Sequence, residues 1–388
     1  MNTKSPRCIV CKQLFDDRHW YYHQLCEACG EFNYQKQQAT ADLSGKIAVV
    51  TGARVNIGYG VCLRLLRSGA RVIATTRFPH HAAQKYNQEI DFDDWLDRFQ
   101  IYPLDLRDLA RVEAFTQDLS RVYPHLDIIV NNAAQTIRRP PAYYRHLIEL
   151  ESQPRATLAP QLQALIASPE SMVLNTTVNP TANLVPTQQH DLVASLSQIP
   201  MIPEDEVDPA LFPLGKSDRD GNQIDLRSIN SWLLRDDEVS IVELLEVHVV
   251  NAIAPFVINS RLKAMMNRQP NTDTYIINVS SQEGRFEGVD KPWRHPHTNM
   301  AKAALNQMTR TCAKEYAKHR ILMNAVDPGW ISFQHSHPIS TEMINRGTKP
   351  PFTIIDAAAR ICDPIWMGLN TGNNQFGRLF KDYQVVQW

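Results

Sequence analysis

The chain has 388 residues, 43% of them hydrophobic and 21% charged, with 40 Lys and Arg against 41 Asp and Glu. A net charge of −1 with the basic residues dispersed leaves no electrostatic footprint for nucleic acid or an anionic membrane surface. No apolar run reads as approaching the roughly 18 residues that span a bilayer, and the N-terminal MNTKSPRCIVCK lacks a signal-peptide core, so a cytoplasmic chain without nucleic-acid or membrane partners is expected.

Residues 1–38 carry two CxxC pairs, Cys8/Cys11 and Cys26/Cys29, fourteen residues apart. The spacing predicts one zinc ion held by four thiolates, with Gly30 permitting the tight knuckle after the second pair. So short a segment cannot bury a core of its own, and metal binding would supply its folding free energy. A closed four-cysteine site has no open position for substrate, which makes the metal structural. His19 and His23 are the alternative ligands. Cys62, Cys312 and Cys362 lie in apolar-periodic text and read as small buried hydrophobes.

From residue 44 short apolar runs alternate with amphipathic stretches. IAVVTGA (47–53) ends in a glycine turn, followed by a helical pattern with Val61, Leu65 and Leu66 on one side and by a second strand, RVIATTR (71–77). Further strands end at IYPLDLRD (101–108), LDIIVNNAA (126–134), TYIINVSS (274–281) and ILMNAVDPG (321–329). This alternation predicts a doubly wound α/β parallel sheet over 44–136 and 240–388, with ligands at the carboxyl ends of its strands. Residues 137–239 break the rhythm with polar, Pro-bearing text such as NTTVNPTANLVPTQQHD and read as an insertion, either a lid, an interaction segment or partly disordered.

The turn TGARVNIGYG (51–60) opens a helix whose N-terminal amides can hold a pyrophosphate. With NNAA (131–134) and YIINVSS after later strands, this ordered set resembles the short-chain dehydrogenase/reductase family. The resemblance implies a Rossmann-type domain that binds NADP or NAD. It places Gly52, Asn56, Ile57 and Gly58 in the glycine turn, with Asn56 where a glycine is usual; Asn tolerates left-handed backbone better than most residues. It also implies that Asp105 and Leu106 flank the adenine, that Asn131 and Ala133 run past its ribose, and that Pro328 and Gly329 lie beside the nicotinamide. Arg77 ends the second strand where an acidic residue would select NAD, and Arg54 lies in the turn, so NADP is the expected cofactor.

The family's catalytic set maps to Asn251, Ser281 and Lys302, but Thr298 stands at the tyrosine position of YxxxK. An aliphatic hydroxyl is far less acidic and shorter than a phenol. Three sources of the proton are left open: His297 or His295, a tyrosine of the insertion such as Tyr143 or Tyr144, or none. The expected function is hydride transfer between nicotinamide and a small carbonyl or alcohol substrate. The alternative is a non-catalytic NADP-binding sensor or scaffold acting through protein partners, and a homo-oligomer is possible for either.

Overall fold

The apolar runs form strands β1 (Ile47–Val50), β2 (Arg71–Thr76), β3 (Phe99–Pro103), β4 (Ile128–Asn131), β5 (Thr274–Val279) and β6 (Ile321–Asp327) in the computed structural model, which describes residues 6–167, 193–218, 221–287 and 293–388. Two further strands, β7 (Leu379–Lys381) and β8 (Gln384–Val386), complete an eight-stranded sheet of order β3-β2-β1-β4-β5-β6-β7-β8. Only β8 runs antiparallel to its neighbour. At three residues each, β7 and β8 are too short to leave a period in the sequence.

Both faces of the sheet are covered, as parallel strands require. On one face Ala48, Val50, Val72, Ala74, Ile128 and Val130 pack with helices α2 (Asn56–Arg67) and α11 (Ile354–Thr371). On the other, Ile47, Val49, Ile73, Ile129 and Ile276 meet α4 (Leu109–Val122), α8 (Ala254–Met266) and α9 (Pro296–Ala317). Side chains one apart on a strand thus enter different cores.

One sequence expectation needs correction here. The helical run Ile241–Met266, made of α7 (Ile241–His248), a π turn (Val249–Ile253) and α8, is long and apolar enough by length and composition to cross a membrane, with a mean hydropathy of 1.8. Its residues Ala254, Ile258, Leu262, Met265 and Met266 are buried in the second core, while Ile241, Leu245, Ile253 and Phe256 are exposed, and 39% of the qualifying window is buried.

Between β4 and α7 the described residues form short helices and 3-10 turns, several opening with Pro at the first position, where its missing N–H costs nothing. Helix α6 (Pro160–Leu165) brings Leu162 and Leu165 into the first core, joined by Leu158 just before it. Just after it, Ile166 bridges Ile101 in parallel, and the Ala167 amide donates to the Ile101 carbonyl at 2.8 Å. This covers the otherwise open edge at β3. The NTTVNPTANLVPTQQHD text lies outside the described residues.

Candidate active site

The four cysteine Sγ atoms of the N-terminal segment lie within 4.8 Å of one another, and Cys11 Sγ is 3.8 Å from Cys26 Sγ. Tetrahedral zinc with Zn–S bonds of about 2.3 Å sets its sulfurs about 3.8 Å apart, so the donor set fits that ion. His19 is spent elsewhere: its Nδ1 accepts from the Tyr21 and Tyr22 amides. Gly30 has a different reason from the one expected of a knuckle. A Cβ there would sit 2.2 Å from the His19 ring, so glycine lets helix α1 (Glu27–Gln38) lie against the imidazole.

At the carboxyl ends of β1 to β4 lies a cavity of about 1160 Å³. The glycine turn forms its floor. Gly52 has φ +65, and a Cβ on it would lie 2.8 Å from Ala133; a Cβ on Gly58 would lie 2.3 Å from the Gly52 carbonyl oxygen. Asn56 adopts φ +54, the left-handed conformation a glycine would take there. Thr51 and Asn132 brace the turn. Thr51 Oγ1 accepts from the amides of Asn132 and Ala133, and Asn132 Nδ2 donates to the Thr51 and Gly52 carbonyls.

Gly52, Arg54, Asn56, Ile57, Gly58, Arg77, Asp105, Leu106 and Ala133 all line this cavity. Asn131 does not. Its side chain follows the strand alternation inward and donates to Asn259 Oδ1 at 2.9 Å and Asn278 Oδ1 at 2.8 Å, the start of a buried ladder that ends on Thr309. Its neighbour Asn132 is the asparagine at the cavity wall.

The end of the cavity beyond β2 is basic and aromatic. Arg77 donates to Tyr144 Oη at 3.0 Å and lies over that ring, while Arg54 lies over Phe78 with its Nη1 3.4 Å from His81 Nδ1. Burial, then the charges of Arg54 and Lys85, holds His81 down to about 3, so that imidazole is neutral. Burial raises the Tyr144 phenol, but the charge and hydrogen bond of Arg77 outweigh it and leave its pKa below the usual tyrosine value. Arg107 is committed to Asp105 and Glu246, and Arg139 to Asp225. Arg54 and Arg77 form no ion pair with a carboxylate among the described residues.

Residues 46–147 match the family model described as short chain dehydrogenase, and residues 235–349 match that described as Enoyl-(Acyl carrier protein) reductase. The chain belongs to the short-chain dehydrogenase/reductase family. An uncharacterized protein of Acanthamoeba polyphaga mimivirus is 32% identical over 376 residues, covering 94% of this chain and 72% of that one. The RhlG/NADP complex of Pseudomonas aeruginosa aligns with a TM-score of 0.54 and 18% identity, over 87% of this chain and 95% of its own. NADPH-bound carbonyl reductase from chicken fatty liver aligns at 0.52 and 16% identity, over 90% and 100%. At such identities the two structures share the fold.

Asn251, Ser281, Thr298 and Lys302, which match the short-chain dehydrogenase/reductase catalytic set, are not among the residues that line this cavity, and neither are Pro328 and Gly329. Asn251 sits in the π turn, with its Oδ1 accepting from the Gln135 amide at 2.7 Å and its Nδ2 donating to the Gln135 carbonyl. Lys302 is buried and donates from Nζ to the Val279 carbonyl at 2.7 Å, two residues before half-buried Ser281. Burial pushes the Lys302 ammonium down to about 8, against the opposing charges of Glu283 and Asp327. Thr298 Oγ1 is buried without a hydrogen-bond partner among the described residues. Pro328 and Gly329 follow β6, where the Gly329 amide donates to Asp327 Oδ1 at 2.9 Å.

The expected proton donors are placed elsewhere. His297 Nε2 lies 3.3 Å from Glu243 Oε1 on α7, with both side chains buried. His295 stacks on Trp232 at 3.9 Å between ring centres. Tyr143 and Tyr144 stand with Arg54 and Arg77 at the far end of the cavity, because the cluster of Phe78, Leu147, Ala194 and Phe212 holds them over the end of β2. The sequence reading missed His335, which lines the cavity in the segment after the Pro328–Gly329 turn, with Nδ1 buried and unpartnered among the described residues. His335 and its neighbour His337, which also lines the cavity, stand in the text FQHSHPIS outside every motif of the family pattern.

Proposed function

We propose that the chain is an NADP-preferring oxidoreductase that moves hydride between the nicotinamide and a carbonyl or alcohol carbon of a small substrate. The observation that carries this reading is the pair Arg54 and Arg77, held without a carboxylate partner at the cavity wall where β2 ends. Two arginines kept beside a neutral imidazole and a phenol suit a phosphate on the adenosine ribose. The glycine turn and the first amides of α2 would hold the pyrophosphate. Lys302 has two ammonium hydrogens left beyond its bond to Val279 for the nicotinamide ribose. The cofactor when bound supplies hydride chemistry; the chain must supply orientation and a proton. Ser281 would polarise the substrate oxygen.

His335 is better placed than His297 to carry the proton, since it lines the cavity and His297 does not. Burial, then the charge of Arg294, lowers the His335 pKa from its ordinary value. A donor of that kind is charged only at low pH. Carbonyl reduction should therefore quicken as pH falls below the usual imidazole range near 6.5, and His335→Gln should flatten that profile. A profile in His335→Gln that matches wild type would remove this residue from the relay.

The test of the function itself is single-turnover NADPH oxidation with saturating cofactor and a panel of carbonyls. Lys302→Ala should weaken NADPH binding by about tenfold, as for a lost charge-assisted contact, while Thr298→Ala leaves that affinity within about twofold. A second reading, a dinucleotide-binding sensor acting through protein partners, is favoured by Thr298 at the phenol position and by the engagement of His297 with Glu243. NADPH binding with no oxidation by any carbonyl would select it. The cysteine segment, in either reading, is proposed to hold structural zinc.

A further inference from the structure

Arg360 is an arginine in the middle of the apolar helix α11, and it is 2% exposed. Its Nη1 donates to the Pro328 carbonyl at 2.9 Å and its Nη2 to Asn33 Oδ1 at 2.8 Å; Asp382 lies 3.0 Å from Nη2. The guanidinium sits over the Phe352 ring, and a Cβ on Gly329 (φ +88) would come within 2.5 Å of Nη1. Asn33 in turn donates from Nδ2 to the carbonyl of Cys29 at 2.8 Å. One unbroken series of hydrogen bonds therefore runs from a cysteine of the four-thiolate cluster, through Asn33 and Arg360, to the turn at Pro328 and Gly329.

The same contact region carries further ties. Tyr22 Oη and Gln37 Nε2 both donate to Asp356 Oδ1, at 2.5 and 2.8 Å, and Lys36 pairs with Asp363 at 2.6 Å. Gln24 Nε2 donates to the Lys349 carbonyl, and His23, Lys349 and Phe352 reach the wall of the cavity. A cluster built only to fold its own segment would need none of these.

We propose that Arg360 is a positioning residue through which the four-cysteine segment sets the conformation of the Pro328–Gly329 turn, so that dinucleotide affinity depends on the metal state of the cysteines. The physical reason is the planar guanidinium. Its two ends are held by groups from different parts of the chain, Nη1 by the turn and Nη2 by Asn33 and Asp382, so a shift of Asn33 leaves Nη2 on Asp382 alone and lets the fork and the turn re-seat together. The proposal rests on the dinucleotide-binding reading above, and its test separates the two.

The experiment compares wild type with Asn33→Ala, which keeps all four cysteines and Arg360. Zinc content, NADPH affinity by calorimetry, and amide hydrogen exchange across residues 326–331 are measured before and after chelation of the metal. Asn33→Ala should retain its zinc and yet bind NADPH about fivefold more weakly, with faster exchange at Gly329 and Trp330. Chelation should weaken NADPH binding in wild type by at least as much, and in Asn33→Ala the combined loss should fall short of the product of the two, because they share the Asn33–Arg360 link. Arg360→Lys, which keeps the charge and loses the fork, should resemble Asn33→Ala. If the two losses multiply in full, or if Asn33→Ala with zinc bound shows wild-type exchange across the turn, the proposal is overturned. If wild type binds no dinucleotide, the function proposed above fails, and the exchange comparison still decides whether Asn33 governs the turn.

Discussion

Arg77→Asp is expected to weaken NADPH binding by about tenfold or more, corresponding to the roughly 1–3 kcal/mol of a charge-assisted phosphate contact, with a smaller effect on NADH. The reasoning is local. In the folded chain Arg77 has a phenol and an aromatic face as neighbours, and Asp105, the carboxylate whose charge acts on it, is already bound by Arg107. The substitution removes a cation and adds a second carboxylate near Asp105, so the adenosine end changes from a site that attracts a phosphate to one that repels it. Calorimetry with both cofactors reads the ratio, and an unchanged NADPH/NADH preference would show that the arginine pair does not select the cofactor. Arg54→Ala should have the smaller effect, since it removes a cation without placing a carboxylate in the site.

Cys26→Ser should abolish metal binding and lower the melting temperature by roughly 5 °C or more, taking a loss of about 3 kcal/mol for a small segment whose fold depends on its metal. The N-terminal core holds little beyond Cys8, Phe15, Tyr22 and Leu25, and its fifth member, Phe352, belongs to the body of the protein. Releasing the segment would uncover Phe352 and strip the buried Asp356 carboxylate of its Tyr22 and Gln37 donors, although Asp356 would still cap α11 through Thr353. Metal analysis of protein purified without chelators should find about one zinc per chain. Protein that carries none, with a melting temperature unaffected by Cys26→Ser, would rule out a structural ion.

Six strands were legible because each is a short apolar run ended by a turn, and a central parallel strand has to be apolar on both faces. The glycine turn was legible for a steric reason: Gly52 and Gly58 stand where a Cβ would strike Ala133 or the Gly52 carbonyl. Strands β7 and β8 were not legible, since their register comes from the edge of β6 rather than from any period of their own. Arg360 is legible as a cation in the apolar run DAAARICDPIW, which needs partners from outside its own helix, but nothing in the run says which partners.

The sequence by itself determined the alternation that makes a doubly wound sheet, the four thiol donors, and the basic residues after β2, because these depend on local periodicity, spacing and residue chemistry. Only the tertiary structure decided which way each polar side chain turns. It sent Asn131 into a buried amide ladder and put Asn132 at the cavity, paired His297 with Glu243, carried Tyr143 and Tyr144 to the arginines, and set Arg360 between the cysteine segment and the Pro328–Gly329 turn. Those outcomes join residues tens to hundreds of positions apart. A buried polar group takes whichever partner the packed elements bring within hydrogen-bond reach, and that choice is made only when the helices dock on the sheet.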